Sequence, residues 1–293
     1  MQINIDKEYA FYLEKFNTYL TEYLSLLDEN APKLIKDAMS YAMQNGGKRV
    51  RPVLCLAVSD LLGVDERKAL KFALAIEMIH AYSLVHDDLP AMDNDDFRRG
   101  KPSTHKAFGE AFGVLAGDGL LNLAMEVCLS FENIDLCYIN AMRTLFDYSG
   151  YKGMIGGQVL DITYEKQPTS DFETLIKIFE NKTAKLLSAP LLCASNLANN
   201  KYHSELKTYG YYLGLCFQVV DDIMDVEGTL DSIGKTPLKD QNTDKLTSVK
   251  ILGINGAKHI AKEYYLKAVE AISSIPNNEF LLGFAQKLFL RKK

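Results

Sequence analysis

Apolar residues recur three and four positions apart through long stretches of this 293-residue chain, at roughly 33–44, 50–62, 66–87, 108–130, 137–149, 171–199, 203–228 and 258–273. That spacing stacks them on one face of a helix. Alternating β-branched and aromatic runs bounded by turn residues, which strands require, are essentially missing. The expected fold class is all-α. Gly46-Gly47 and Gly156-Gly157 interrupt the pattern, while Leu89-Pro90 and the polar stretch from Asp93 to Thr104 mark a helix end and a loop. The eight prolines are spread singly and no Ser/Gly/Pro-rich linker divides the chain, so residues 1–293 read as one domain. Hydrophobic residues at 47% are enough for a sizeable core.

Charge narrows the partners. Thirty-three basic residues against 38 acidic ones give −5, which offers no field for a nucleic-acid backbone, so an anionic partner must be gripped locally. The five cysteines (55, 128, 137, 193 and 216) lack the spacing of a zinc site or a disulfide framework, which fits a reducing compartment. The N-terminal MQINIDKEYAFYLEKF lacks the order of a signal peptide, and the most apolar run, 186–198, is too short to span a bilayer. A cytoplasmic protein without a membrane span is expected.

Two acidic clusters follow strongly apolar helices. The first runs from His86 through Asp87, Asp88, Asp93, Asp95 and Asp96; the second is Asp221-Asp222-Ile223-Met224-Asp225. A solvated acidic loop would account for the first alone. In the second, Gln218, Asp221 and Asp225 at i, i+3 and i+7 share one helix face. Carboxylates following apolar faces repel one another and are costly to desolvate unless a cation neutralises them. Two such clusters suggest carboxylates facing one another across a cavity, with Mg²⁺ as occupant, since this hard cation takes few carboxylates and completes its shell with water and phosphate oxygens. Basic groups are placed to supply further phosphate contacts. Lys48, Arg49 and Arg51 follow the Gly46-Gly47 turn at a helix start, and Arg98-Arg99-Gly100-Lys101 follows the first acidic cluster. Surface charge is the alternative for each group taken singly.

In this order, GGKRVRP (46–52), HAYSLVHDDLPAMDNDDFRRGKPSTH (80–105), GGQVLD with Gly156, NKTAKL (181–186), FQVVDDIMD (217–225) and Gly234-Lys235 resemble the trans-isoprenyl diphosphate synthases, most closely the short-chain bacterial branch that makes farnesyl diphosphate. The resemblance covers almost the whole chain. It implies an isoprenoid synthase fold, a helical bundle around a deep central cavity, in a homodimer with both aspartate motifs on the cavity walls. Asp87, Asp93 and Asp221 match the principal Mg²⁺ ligands, three ions per active site, with Asp88, Asp222 and Asp225 supporting them. Gly47, Lys48, Arg51, His80 and Arg99 match the isopentenyl diphosphate site. Arg98, Lys182, Gln218 and Lys235 match the surroundings of the allylic diphosphate, with Thr183 near the reacting carbons and Lys245 as a further phosphate-side lysine. Apart from the resemblance, His80 reads as a satisfied core histidine. The segment 230–248 departs from the family pattern, with Lys239-Asp240 where a glycine commonly precedes the aspartate, and Tyr151-Lys152-Gly153 is also unusual.

The implied reaction joins isopentenyl diphosphate to dimethylallyl and then geranyl diphosphate, giving (2E,6E)-farnesyl diphosphate. The resemblance implies that Tyr82 and Ser83 carry product length. Tyr82 lies five residues, about 7.5 Å of helix, before Asp87; from spacing alone it reads as core, and the resemblance reverses that preference. Asp87 and Asp93 are six residues apart, so they converge only if the helix loosens near Pro90. A geranylgeranyl diphosphate synthase is the alternative. A class I terpene cyclase would lack the Gly46–Pro52 anion site, and a non-catalytic subunit would have lost an aspartate motif.

Overall fold

The computed structural model describes residues 4–166, 171–227 and 246–291; Lys235 and Lys245 lie outside the described residues. The elements are α1 (Ile5–Ser25), α2 (Lys33–Gln44), α3 (Val50–Leu62), α4 (Glu66–Asp87), the two-residue strands β1 (Phe97–Arg98) and β2 (Lys101–Pro102), α5 (Thr104–Phe108), α6 (Glu110–Leu129), α7 (Leu136–Ser149), α8 (Met154–Lys166), α9 (Phe172–Phe179), a π-helical turn (Glu180–Ala184), α10 (Lys185–Leu197), α11 (His203–Glu227), α12 (Ser248–Ala271) and α13 (Glu279–Phe289). The fold is all-α. Periodicity places α2, α3 and α4 to the residue, but α1, α8 and α13 have no counterpart among the periodic stretches. Gly156 and Gly157 do not break a helix; both lie inside α8. The stretch 171–199 is interrupted at Glu180–Ala184, where Lys185 N–H reaches back five residues to the Glu180 carbonyl.

The chain divides into two compact units. One comprises Asp6–Leu136; the other comprises Cys137–Lys293 with Met1–Ile5. In the first, α4 begins at Asp65, whose carboxylate accepts from Arg67 N–H (2.9 Å) and Lys68 N–H (3.3 Å). From Ala69 to Val85 it is apolar almost all round, which suits a helix surrounded by protein. Phe72, Leu74, Ile76, Met78 and Ile79 are fully enclosed, each contributing roughly 1.5–3 kcal/mol. Gly113 of helix α6 lies against Leu89 and His105, and α6 packs on α4 through Gly117, where a Cβ would lie 2.0 Å from His86 Nε2. That close approach lets His86 Nε2 contact the Val114 carbonyl at 3.0 Å.

The outer side of α6 exposes Val114, Leu115, Met125 and Leu129. At twenty residues it is long and apolar enough to cross a membrane by length and composition, whereas the 186–198 run lies mostly in α10, nearly all of which is buried. In the second unit, α11 lies against α10 and α12. A Cβ on Gly214 would sit 2.4 Å from Ala184 Cα, so α11 approaches the π turn backbone to backbone. Tyr209, fully buried, donates to the Leu281 carbonyl at 2.8 Å and ties α11 to α13.

Candidate active site

The candidate residues divide between the units, and each set is built by different local devices. In the first unit the cations gather around two left-handed turns. Gly46 (φ 77°), Gly47 (φ 116°) and Arg49 (φ 49°) form the entry to α3, and Arg99 (φ 54°) with Gly100 (φ 78°) forms the two-residue loop of the β1–β2 hairpin, in which Phe97 pairs with Pro102 and Arg98 with Lys101. Arg99 fills the space a Gly47 side chain would need, since a Cβ there would lie 2.4 Å from its Cζ, and its Nη1 donates to the Gly46 carbonyl. Asn45 ties the same two segments by donating to the Arg98 carbonyl at 3.1 Å. Lys48 is exposed, and its carbonyl accepts from the Tyr9 hydroxyl.

Arg51 and His80 are half-buried beside these turns. Burial pushes Arg51 down to about 10, with Glu77 holding it up and Arg99 pushing it further down; its Nε is buried without a hydrogen-bond partner. Burial, then Arg51, Arg99, Arg49 and Arg98, push His80 well below the usual imidazole range. The imidazole is therefore neutral near pH 7, and the cluster's positive charge belongs to the guanidinium groups. A group of cations with an orphaned donor suits an anion.

Helix α4 ends at Asp87, and the chain then folds back on it. Asp93 N–H donates to the Asp87 carbonyl at 2.8 Å, Asn94 N–H to Leu89 at 3.1 Å and Asp95 N–H to Asp88 at 3.1 Å, with Asn94 left-handed. This turn, rather than a loosened helix, brings the backbone of Asp93 against that of Asp87. Asp87 is half-buried and Asp93 exposed. Asp88 is enclosed and held by Arg98, whose Nε lies 2.9 and 3.2 Å from its two oxygens. Burial alone would lower Arg98; the Asp88 contact outweighs it and leaves the guanidinium raised. Tyr82 is 5% exposed, packs edge-on to His86 and has a buried hydroxyl without a partner; burial and then Asp87 push it up to about 12. Ser83 donates to the His80 carbonyl at 2.9 Å.

In the second unit the π turn carries Lys182 and Thr183, and Gly157 of α8 makes room for it: a Cβ there would lie 2.1 Å from Lys182 N. Lys182 Nζ pairs with Asp161. Thr183 Oγ1 donates to Gln218 Oε1 at 3.0 Å. On α11, Asp222 is buried and accepts from Ser248 N–H (2.7 Å) and Oγ–H (2.8 Å) at the start of α12. Asp221 pairs with Arg291, which also donates to the Phe217 carbonyl at 2.9 Å and lies over the Phe217 ring. Asp225 is half-buried one turn further along.

Among the described residues no three acidic, histidine or cysteine side chains form a metal cage by themselves. The donors at both motifs are carboxylate oxygens, and Asp221 already draws a guanidinium. That set fits a small hard divalent cation that keeps water and phosphate oxygens in its shell, and would not suit a softer metal. Sequence reasoning missed Glu77, Asp161, Ser248 and Arg291. Glu77 had a signal, as a lone charge within the buried stretch Phe72–Ile79; Asp161 ends the GGQVLD motif but was given no role.

The polyprenyl synthetase family model matches residues 32–277, across both units. The chain belongs to the polyprenyl synthetase family. Within it, a farnesyl diphosphate synthase from Micrococcus luteus is 39% identical over 294 residues, 96% of this chain and 100% of that one. A chloroplastic geranylgeranyl pyrophosphate synthase from Capsicum annuum is 41% identical over 276 residues, 90% and 75% of the two chains. A solved structure of geranyltransferase from Helicobacter pylori, complexed with magnesium and isoprenyl diphosphate, superposes with a TM-score of 0.83 at 32% identity, covering 98% and 97%. Family membership makes this chain a prenyltransferase that elongates prenyl chains.

Two outcomes follow from the geometry. Gly157→Ala forces a methyl onto the Lys182 backbone and should cost about 1–3 kcal/mol in urea denaturation. His80 is neutral when folded but charges near its ordinary pKa when unfolded, so its contribution is complete above about pH 6.5 and is lost on acidification, by at most ~1.4 kcal/mol per pH unit. Urea midpoints measured from about pH 7.5 down to 5 should fall less steeply in His80→Gln than in wild type.

Proposed function

We propose that this family member condenses isopentenyl diphosphate with dimethylallyl and then geranyl diphosphate to give (2E,6E)-farnesyl diphosphate, releasing pyrophosphate at each step. The observation that carries this reading is the cluster of Arg51, His80 and Arg99 joined through the β1–β2 hairpin to the first aspartate motif. It suits a diphosphate bound by guanidinium groups and a neutral imidazole without a metal, beside carboxylates that call for one. Gly47, Lys48, Arg51, His80 and Arg99 bind isopentenyl diphosphate. Asp87 and Asp93, with Asp221 and Asp225, hold Mg²⁺, three ions per active site on the family pattern, and the Helicobacter pylori geranyltransferase complex with magnesium supports that choice. Bound there, Mg²⁺ supplies Lewis-acid neutralisation of the allylic leaving group. Asp88 and Asp222 support these ligands from behind, the first by holding Arg98 and the second by fixing the start of α12.

Arg98 and Lys182 bind the allylic diphosphate and stabilise the charge that grows on it as its C–O bond breaks; Lys235 and Lys245 complete this set on the family pattern. The Thr183 and Gln218 oxygens face the allylic cation, and their mutual hydrogen bond fixes their direction. The double bond of isopentenyl diphosphate then attacks, a carbon–carbon bond forms, and the departing pyrophosphate takes the proton. Exclusion of water by apolar walls keeps the cation from hydrolysis.

Both units act as one catalytic domain in this reading, consistent with a single family model running through them. The exposed apolar side chains along α6 support a homodimer. Five free cysteines, four of them buried, support a cytoplasmic location. Geranylgeranyl diphosphate is the second candidate product, favoured by the Capsicum annuum relative. Buried Tyr82 favours the shorter one, as a floor to the growing chain.

Asp221→Ala should lower turnover at least about a hundredfold while leaving the Michaelis constant for isopentenyl diphosphate little changed. Near-normal turnover at ordinary Mg²⁺ would sink the metal assignment. Product analysis with labelled isopentenyl diphosphate should show Tyr82→Ala shifting output to geranylgeranyl diphosphate or longer. Tyr82→Phe should retain the wild-type product, because the lost hydroxyl had no partner. An active Tyr82→Ala that releases only the C15 product means length is set elsewhere.

A further inference from the structure

Glu77 is the charged residue in the enclosed stretch Phe72–Ile79 of α4, and it is 2% exposed. A carboxylate so placed is strongly destabilising unless a cation meets it. Arg49 does: its Nη1 lies 2.6 Å from Glu77 Oε1, its Nη2 donates to the Met43 carbonyl, and its side chain is 4% exposed. Arg49 also has a left-handed backbone at the entry to α3, a conformation unfavourable for a non-glycine residue. The Glu77 ion pair and the Met43 contact anchor the side chain of that residue. Lys48 precedes Arg49 directly and Arg51 follows two residues later, so the pair fixes where both cations leave the chain.

Glu77 reaches the other members of the cluster as well. It is the carboxylate that favours the charged form of Arg51, and it leads those that favour Arg99. His80 lies three residues on, on the same face of α4. Tyr9, whose hydroxyl anchors the Lys48 carbonyl, is also within the reach of its charge. Since the charge of Arg49 is consumed by Glu77, Arg51, Arg99 and Lys48 remain for a ligand.

We propose that Glu77, acting through Arg49, is the positioning residue of this anion site, holding the Gly46–Arg51 turn in the shape that receives the diphosphate of isopentenyl diphosphate. This rests on the reading of the cluster as the isopentenyl diphosphate site. It differs in sign from simple charge compensation. If Glu77 only offset positive charge, removing its charge would tighten anion binding; if it positions the turn, removal weakens binding.

The test is calorimetric titration of isopentenyl diphosphate into the metal-free full chain, together with steady-state kinetics. Glu77→Gln should weaken binding and raise the Michaelis constant for isopentenyl diphosphate ~10-fold or more, with the allylic constant and turnover changed much less. Arg49→Lys, which keeps the charge but loses the fork, should show the same split and serves if Glu77→Gln does not fold. The double variant Glu77→Gln/Arg49→Met restores the net charge without the anchor and should stay weak. Tighter binding in Glu77→Gln, or wild-type binding in the double variant, overturns the positioning role. Arg51→Lys separates the two readings. If it weakens binding while folded Glu77→Gln and Arg49→Lys do not, only the role of Glu77 falls; if it leaves binding unchanged, the assignment of the cluster falls with it.

Discussion

Neighbouring residues on an α-helix point about 100° apart, so two adjacent aspartates cannot face the same way. Both Asp-Asp pairs here obey that constraint with the same division of labour. Asp87 and Asp221 lie at partly open positions, while Asp88 and Asp222 turn inward and are buried. The inward member must then be met from within the protein, and the surrounding structure follows from how that is done. Arg98 meets Asp88, which fixes the β1–β2 hairpin and with it the turn that carries Arg99. The first turn of α12 meets Asp222, which fixes where α12 starts against α11.

A second constraint is space. At Gly47, Gly157 and Gly214 the missing side chain is filled by a neighbouring segment: the Arg99 guanidinium, the Lys182 backbone and the Ala184 backbone. The proposed binding groups are thus set by backbone shape as much as by side-chain chemistry. The cations come from left-handed turns, and Lys182 and Thr183 come from a π turn confined by two glycines.

The sequence made most helices legible because burial on one face writes itself as spacing. It failed where that pattern was weak or misleading. Helix α1 buries only Phe16, Leu20 and Leu24, a stripe too thin to stand out among its charges. Gly156 and Gly157 signalled a break in α8 although Gly157 serves close packing inside it. The aspartates, arginines and lysines of the site were readable as motifs; their partners mostly were not. Arg49 and Glu77 are 28 residues apart, Lys182 and Asp161 21, Asp222 and Ser248 26, and Asp221 and Arg291 70. No local period encodes such pairings; they arise only when helices pack.

The π turn at Glu180–Ala184 amounts to one extra residue threaded into an otherwise continuous helix from Phe172 to Leu197. Such an insertion rotates everything after it by the angle of one residue, so α9 and α10 each keep their own buried register, Leu175, Ile178 and Phe179 on one side and the enclosed run from Leu186 to Asn196 on the other. Removing a single residue there would realign the two halves into a regular helix and rotate the Leu175, Ile178 and Phe179 face of α9 relative to the enclosed α10. The register of α9 against α10 and the placement of Lys182 and Thr183 are therefore set by the same extra residue.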